Sequence, residues 1–178
     1  MNKPVTIHTS RTIMSAELIY VLDYPKESLD YSEMMEQNVF NKKTESSKKK
    51  TITYLTRLYS FEGDDKKFLC LEDYWCRIEA KEKPLIALLM AISKDYLLNG
   101  SVEFIKSIKI NQKASIDEFA ANVEQHHPNR FTPKTLRSVA QNVASSWKQA
   151  GYILGRTKNV RIENPPTHIS VAFAFLMA

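Results

Sequence analysis

The sequence predicts an all-α, mainly helical protein: a helical body with a helix-turn-helix-like N-terminal part, a winged helix-turn-helix-like C-terminal part and one short β-hairpin. Three observations predict it. Apolar residues recur at i, i+3, i+4 and i+7 through most of the chain, the period of a half-buried helix. Only four glycines occur in 178 residues, too few for a turn-rich all-β protein. Ser115, Thr132-Pro133 and Pro165-Pro166 each stand where a helix start needs a cap or a first-turn proline. With 43% hydrophobic residues, the chain can bury one sizeable core or two small ones.

Taken in order, Thr9 or Ser10 opens a helix running to Leu22, with Ile13, Met14, Leu18, Val21 and Leu22 as its inner stripe, before Tyr24-Pro25 ends it. A short helix is expected over 31–39. Ser47 then caps a helix to Tyr59 that turns Ile52, Leu55, Leu58 and Tyr59 inward and Lys49, Lys50, Thr53, Thr56 and Arg57 outward. Lysines at that helix start would oppose its dipole unless an anion is bound. These elements form the N-terminal part, residues 1–62.

The central part, residues 63–112, is expected to hold buried helices. One starts at Asp64 and runs through Phe68, Leu71, Trp75 and Ile78. The next runs 84–98 with Pro84 as its first residue and is apolar nearly all round, the mark of a buried spine. Asn99-Gly100 ends it, glycine supplying a left-handed cap. Residues 101–110 read as helix or strand, with the balance towards helix.

Residues 113–178 carry the clearest signals. Ser115 caps a helix on which Ile116, Phe119, Ala120 and Val123 align, and His127-Pro128 ends it. Thr132-Pro133 opens the next, which runs to Ala150 with Leu136, Val139, Ala140, Val143, Ala144 and Trp147 inside and Gly151 as its cap. The runs 152–154 and 160–162 are β-prone and flank a turn with two cations, a candidate wing. Pro165-Pro166 leads into a last apolar helix. The chain stops at Phe175-Leu176-Met177-Ala178 without a polar cap, an ending that leads us to expect a continuation.

Charge is segregated along this frame. Residues 41–60 hold six Lys/Arg against Glu45 alone, and residues 125–162 hold seven Lys/Arg with no Asp or Glu, although the whole chain is only +5. Two basic islands in an acidic background are suited to a polyanion. The expected contacts of the first island are Lys42, Lys43, Lys48, Lys49, Lys50 and Arg57. Those of the second are Arg130, Lys134, Arg137, Ser138, Gln141 and Lys148, with Arg156, Lys158 and Arg161 on the wing. An arginine fork suits guanine, a glutamine suits adenine, and serine or lysine suits phosphate. Double-stranded DNA is therefore the expected partner, with weak sequence preference. A protein-interaction adaptor whose basic faces dock acidic surfaces is the rival. RNA is a third possibility, disfavoured because few aromatics sit among the cations.

Other classes find little support. No P-loop, glycine-rich dinucleotide turn, G-x-S-x-G or H-E-x-x-H is present, so no enzyme is expected. Cofactor and metal sites are not expected either, because the histidines lack acidic or cysteine neighbours at ligand spacing. Cys70 and Cys76 are expected to be small buried hydrophobes. No apolar run approaches the roughly 20 residues of a membrane span, and the polar start shows no signal peptide, so a cytoplasmic home without membrane contact is expected.

Four junctions carry a resemblance across essentially the whole chain. Thr9-Ser10-Arg11 leads into an apolar helix, and Asn38-Val39-Phe40-Asn41-Lys42-Lys43 runs to Ser46-Ser47 before a leucine-rich one. Lys94-Asp95-Tyr96 lies in the apolar helix, and Trp147-Lys148-Gln149-Ala150-Gly151-Tyr152 follows the last basic helix. In these the chain resembles the BrxA family, small helical proteins of bacterial BREX phage-exclusion systems. The resemblance implies a non-enzymatic, DNA-binding component of a phage-defence complex. It would act beside the BREX methyltransferase, ATPase and phosphatase-like proteins. It also implies a tail beyond the last apolar helix, and it supplies no catalytic residues.

Overall fold

A computed structural model describes residues 6–24, 31, 33, 37, 40–61, 65–155 and 158–178. Its helices are α1 (Ser15–Leu22), α2 (Glu45–Tyr59), α3 (Lys66–Trp75), α4 (Lys83–Lys94), α5 (Tyr96–Asn99), α6 (Val102–Ser107), α7 (Ile116–His126), α8 (Pro133–Gln149) and α9 (His168–Met177). A two-stranded antiparallel hairpin, β1 (Ile153–Leu154) and β2 (Val160–Arg161), follows α8. The fold is mainly helical, as the sequence predicts.

α4 is the spine. Leu85, Ile86, Ala87, Leu88, Met90 and Ala91 are all buried, and α1, α2, α3, α8 and α9 pack around it. One apolar cluster runs from Ile7 to Met177, so the three sequence parts share a core. Burying each of its large side chains contributes on the order of 1.5–3 kcal/mol.

The C-terminal elements form where local chemistry directs them. Ser115 accepts a hydrogen bond from the Glu118 N–H at 3.2 Å while the Glu118 carboxylate accepts one from the Ser115 N–H at 2.7 Å, a reciprocal capping box. Thr132 caps α8 ahead of Pro133. Gly151 leaves α8 at φ +79°, a left-handed conformation that disfavours any other residue. A segment ahead of α7 joins the hairpin: Asn111 N–H donates to Arg161 O at 2.7 Å, Arg161 N–H to Gln112 O at 2.8 Å, and Ala114 N–H to Asn159 O at 2.9 Å. Lys113 thereby bridges Val160. α7 and α8 form the most extensively packed helix pair among the described residues.

Several expectations further upstream are corrected. The first helix starts at Ser15, not Thr9 or Ser10, because the preceding backbone is taken by distant groups. Ile13 N–H donates to Ser146 Oγ at 3.0 Å, and Tyr59 OH donates to Ile13 O at 2.6 Å. Met14 then turns through φ 50° to enter α1. α2 starts two residues before Ser47, capped by Thr44, so the lysines 48–50 lie beyond its first turn. Glu45 occupies that turn, and the expected conflict with the dipole falls away. α3 begins after Asp65, whose carboxylate accepts from the Lys67 and Phe68 N–H groups.

The spine helix stops at Lys94 instead of continuing to Leu98. Asp95 breaks out at ψ 110° and caps α5 by accepting from the Leu97 and Leu98 N–H groups at 3.0 and 3.2 Å. Gly100 is right-handed, φ −61°, because the chain coils on into α6 instead of ending there. Cys76 is exposed and Cys70 half-buried, against the expectation that both are interior. The helix expected over 31–39 lies for the most part outside the described residues.

Candidate nucleic-acid interface

The candidate site is built around α8. Its inner stripe, Val139, Ala140, Val143, Ala144 and Trp147, is buried, and the Trp147 indole N–H donates to Ser101 Oγ at 2.8 Å. One flank, Asn142, Ser146 and Gln149, is covered by the N-terminal arm. Asn142 Nδ2 donates to His8 O at 2.8 Å, Gln149 Nε2 donates to Thr12 Oγ1 at 2.8 Å, and Gln149 Oε1 accepts from the Ser15 N–H at 3.0 Å. The face left open carries Lys134, Arg137 and Gln141, all exposed, with half-buried Ser138 beside them. The arm thus leaves the N-terminal half of α8 the more exposed, with Ser145 and Lys148 half-buried in the C-terminal half.

The arm is fixed by a buried polar group. His8 Nδ1 lies 2.8 Å from Asp95 Oδ2 and His8 Nε2 lies 2.8 Å from Ser146 Oγ. All three residues have no solvent exposure. Asp95 also accepts from Ile7 N–H at 2.7 Å and Thr6 Oγ1 at 3.0 Å. Burial opposes ionisation of its carboxyl, but the His8 bond and the backbone N–H donors outweigh it and hold it below the usual carboxylate range. Carboxylate, imidazole and hydroxyl stand in the order of a hydrolase relay. Here the Ser146 Oγ accepts the Ile13 N–H and lies 3.0 Å from Asn142 O inside the core, so no substrate reaches it and the group is a structural clasp.

The basic residues fall into distinct states. Lys43, Lys49, Lys50, Arg57, Lys134 and Lys158 are exposed and have no ion pair among the described residues. Lys42 pairs with Glu17 at 2.7 Å, and Lys48 lies 3.7 Å from Glu45. Arg137 reaches Asp117 of α7 at 3.3 Å, both well exposed. Arg130 lies over the Tyr96 ring at 5.0 Å and the Phe131 ring at 5.8 Å. Lys148 is half-buried, and burial lowers its ammonium pKa. Arg161 turns back into the hairpin: it donates to Tyr152 O at 3.2 Å and to Ile162 O, and stacks over Tyr152 at 4.8 Å. Its guanidinium thus links Tyr152 and Ile162 within the hairpin. Arg156 lies outside the described residues.

Uncharged residues from the helices of both islands meet at a cleft, where Lys42 is the one island cation among the described lining residues. α2 and α8 flank one cleft of about 460 Å³, to which α2 contributes Ser47 and Thr51, α8 contributes Asn142 and Gln149, and the arm contributes Ser10 and Arg11. Arg11 is a residue that the sequence reading missed. It lies over the Tyr54 ring of α2 at 5.7 Å. Its one signal in the sequence is the lack of any acid within five residues on either side.

No protein-family model matches this chain, and no curated protein or solved structure shows significant similarity to it. The fold and the site define a mainly helical protein with two basic helices beside a shared cleft.

Proposed function

We propose that this protein is a non-enzymatic, double-stranded DNA-binding component of a bacterial anti-phage defence system. The observation that carries the binding reading is the open face of α8, where Lys134, Arg137 and Gln141 are exposed on a helix otherwise sealed on its inner and arm-side faces. The bridged segment ahead of α7, the pair α7 and α8, and the hairpin follow the order of a winged helix-turn-helix, in which the second helix enters the major groove. On this reading Arg137 and Gln141 meet base edges, Lys134 and Lys148 meet phosphates, and Lys158 reaches the flanking backbone. α2 adds Lys49, Lys50 and Arg57 from across the cleft.

The defence setting rests on the resemblance to the BrxA family. It includes a cytoplasmic location and work beside the BREX methyltransferase, ATPase and phosphatase-like proteins. Phosphate-dominated contacts make sequence preference weak. Neutralising about six phosphates gives a log-log salt slope of about −5.

The test is fluorescence anisotropy on a random duplex, a matching single strand and an RNA hairpin. The double charge reversal Lys134→Glu with Arg137→Glu should abolish duplex binding while leaving helicity unchanged. Duplex binding that survives this reversal, or a slope near zero, would refute the reading.

A second reading, a protein-interaction adaptor whose basic faces dock acidic partner surfaces, is favoured by a further, apolar surface that such an adaptor would also use. On α9, Phe175 is 80% exposed and Leu176 52%, beside an apolar groove lined by Leu85, Leu89 and Val171. Exposed apolar patches of this kind mark protein contacts. Under this reading the same charge reversal weakens capture of a partner protein and spares duplex binding.

A further inference from the structure

The cleft between the basic helices holds donors that the fold does not use. Among the described residues, the Arg11 guanidinium and the hydroxyls of Ser10 and Ser47 make no hydrogen bond, and all three line the cleft. Lys42 and Glu17 also line it, but they pair with each other at 2.7 Å and so largely cancel. Arg11 is left as the unbalanced charge, in a hollow where hydroxyl and amide groups stand beside Met14 and Ala16.

Arg11 is also held ready. The buried clasp of His8 on Asp95 and Ser146 fixes the chain three residues before it, and Ile13 N–H on Ser146 fixes it two residues after. The guanidinium rests over Tyr54. The backbone that carries Arg11 is therefore ordered before any ligand arrives, which lowers the ordering cost of binding. Lys50 and Arg57 stand at i−4 and i+3 from Tyr54 on the same flank of α2. On α8, Ser138 and Ser145 stand at i−4 and i+3 from Asn142. Arg11 therefore lies between Asn142 of α8 and Ser47 and Thr51 of α2, with Lys50 and Arg57 spaced along α2 on either side of Tyr54.

We propose that this cleft receives a backbone phosphate of a bound duplex, with Arg11 as its cation and Ser10 and Ser47 as accessory donors. The inference rests on the nucleic-acid reading above. It turns two basic islands into one continuous footprint. A guanidinium suits this role because its fork meets two phosphate oxygens at once.

The test compares the wild type with Arg11→Gln and Ser47→Asp on an unrelated duplex of about 20 base pairs at 50 and 200 mM salt. Arg11→Gln should weaken binding roughly 3–10-fold regardless of sequence and make the salt slope shallower by about 1. Ser47→Asp introduces a carboxylate into the cleft at a first-turn position that tolerates acids. It should give a similar loss with an unchanged melting temperature, which separates occupation of the cleft from damage to the arm. If the wild type binds steeply and both variants match it in affinity and slope, the proposal is overturned and the nucleic-acid reading stands. If the wild type binds no duplex, that reading fails and inorganic phosphate at constant ionic strength decides the cleft. A rise in melting temperature that Arg11→Gln removes would assign the site to a free phosphorylated ligand, and no rise would end the proposal.

Discussion

The N-terminal arm and the α7–α8–hairpin unit lie against each other but are held by different kinds of interaction. In the C-terminal unit, each boundary is set by a neighbour a few residues away. Ser115 and Glu118 cap each other, Thr132 caps α8, and Gly151 takes the left-handed turn. In the arm, the decisive bonds span 87 to 138 residues of sequence, His8 to Asp95 and His8 to Ser146. Local caps define elements singly, and their loss frays one end. A buried clasp ties three elements at once, and its loss leaves several polar groups stranded away from water.

That contrast is broken most directly at Asp95. Asp95→Ala strands Ile7 N–H, the His8 ring and the α5 cap together, so urea denaturation should show a loss of roughly 3–5 kcal/mol. The same carboxylate gives the comparison a pH signature. Its folded pKa is lowered, so the stability it contributes is present above the ordinary carboxylate range and is lost as pH falls through the lowered value. The Asp95→Ala protein should therefore show a flatter acid limb than the wild type. Parallel acid limbs would mean that other carboxylates carry the acid sensitivity.

Ser115→Ala probes the local side of the comparison. It removes one cap bond at an exposed helix start, and about 1 kcal/mol is expected. A loss as large as that for Asp95 would show that the capping box supports more than its own helix.

The same distinction explains what could be read from the sequence. α7 and α8 were legible because Ser115, Thr132-Pro133 and Gly151 encode their own boundaries, and the apolar stripe of α8 keeps one period for three turns. The outer face of α8 followed from that stripe, and Lys134, Arg137 and Gln141 are exposed as it requires. Asp95 reads in the sequence as an acid inside a long apolar helix. Nothing nearby announces that it ends the helix and collects the N-terminal arm. His8 gave no signal, because its partners are distant in sequence. Arg161 has the sequence of a wing cation, but the adjacent Tyr152 ring and two carbonyls draw it inward.

The smallest effect tests how the open face of α8 is balanced. Asp117 sits on α7 and reaches Arg137 at 3.3 Å, with both side chains well exposed. An exposed pair of this kind is worth about 0.2–1 kcal/mol, so it restrains Arg137 only weakly. A phosphate or guanine arriving at α8 must displace that carboxylate or tolerate its charge. Asp117→Asn should therefore raise duplex affinity about two- to threefold at 50 mM salt, with the gain shrinking at 200 mM as screening grows. It should leave stability almost unchanged, because no buried group loses a partner. A fall in affinity would reverse the argument: Asp117 would then be the residue that aims the Arg137 fork, and α7 would contribute to recognition as well as to packing.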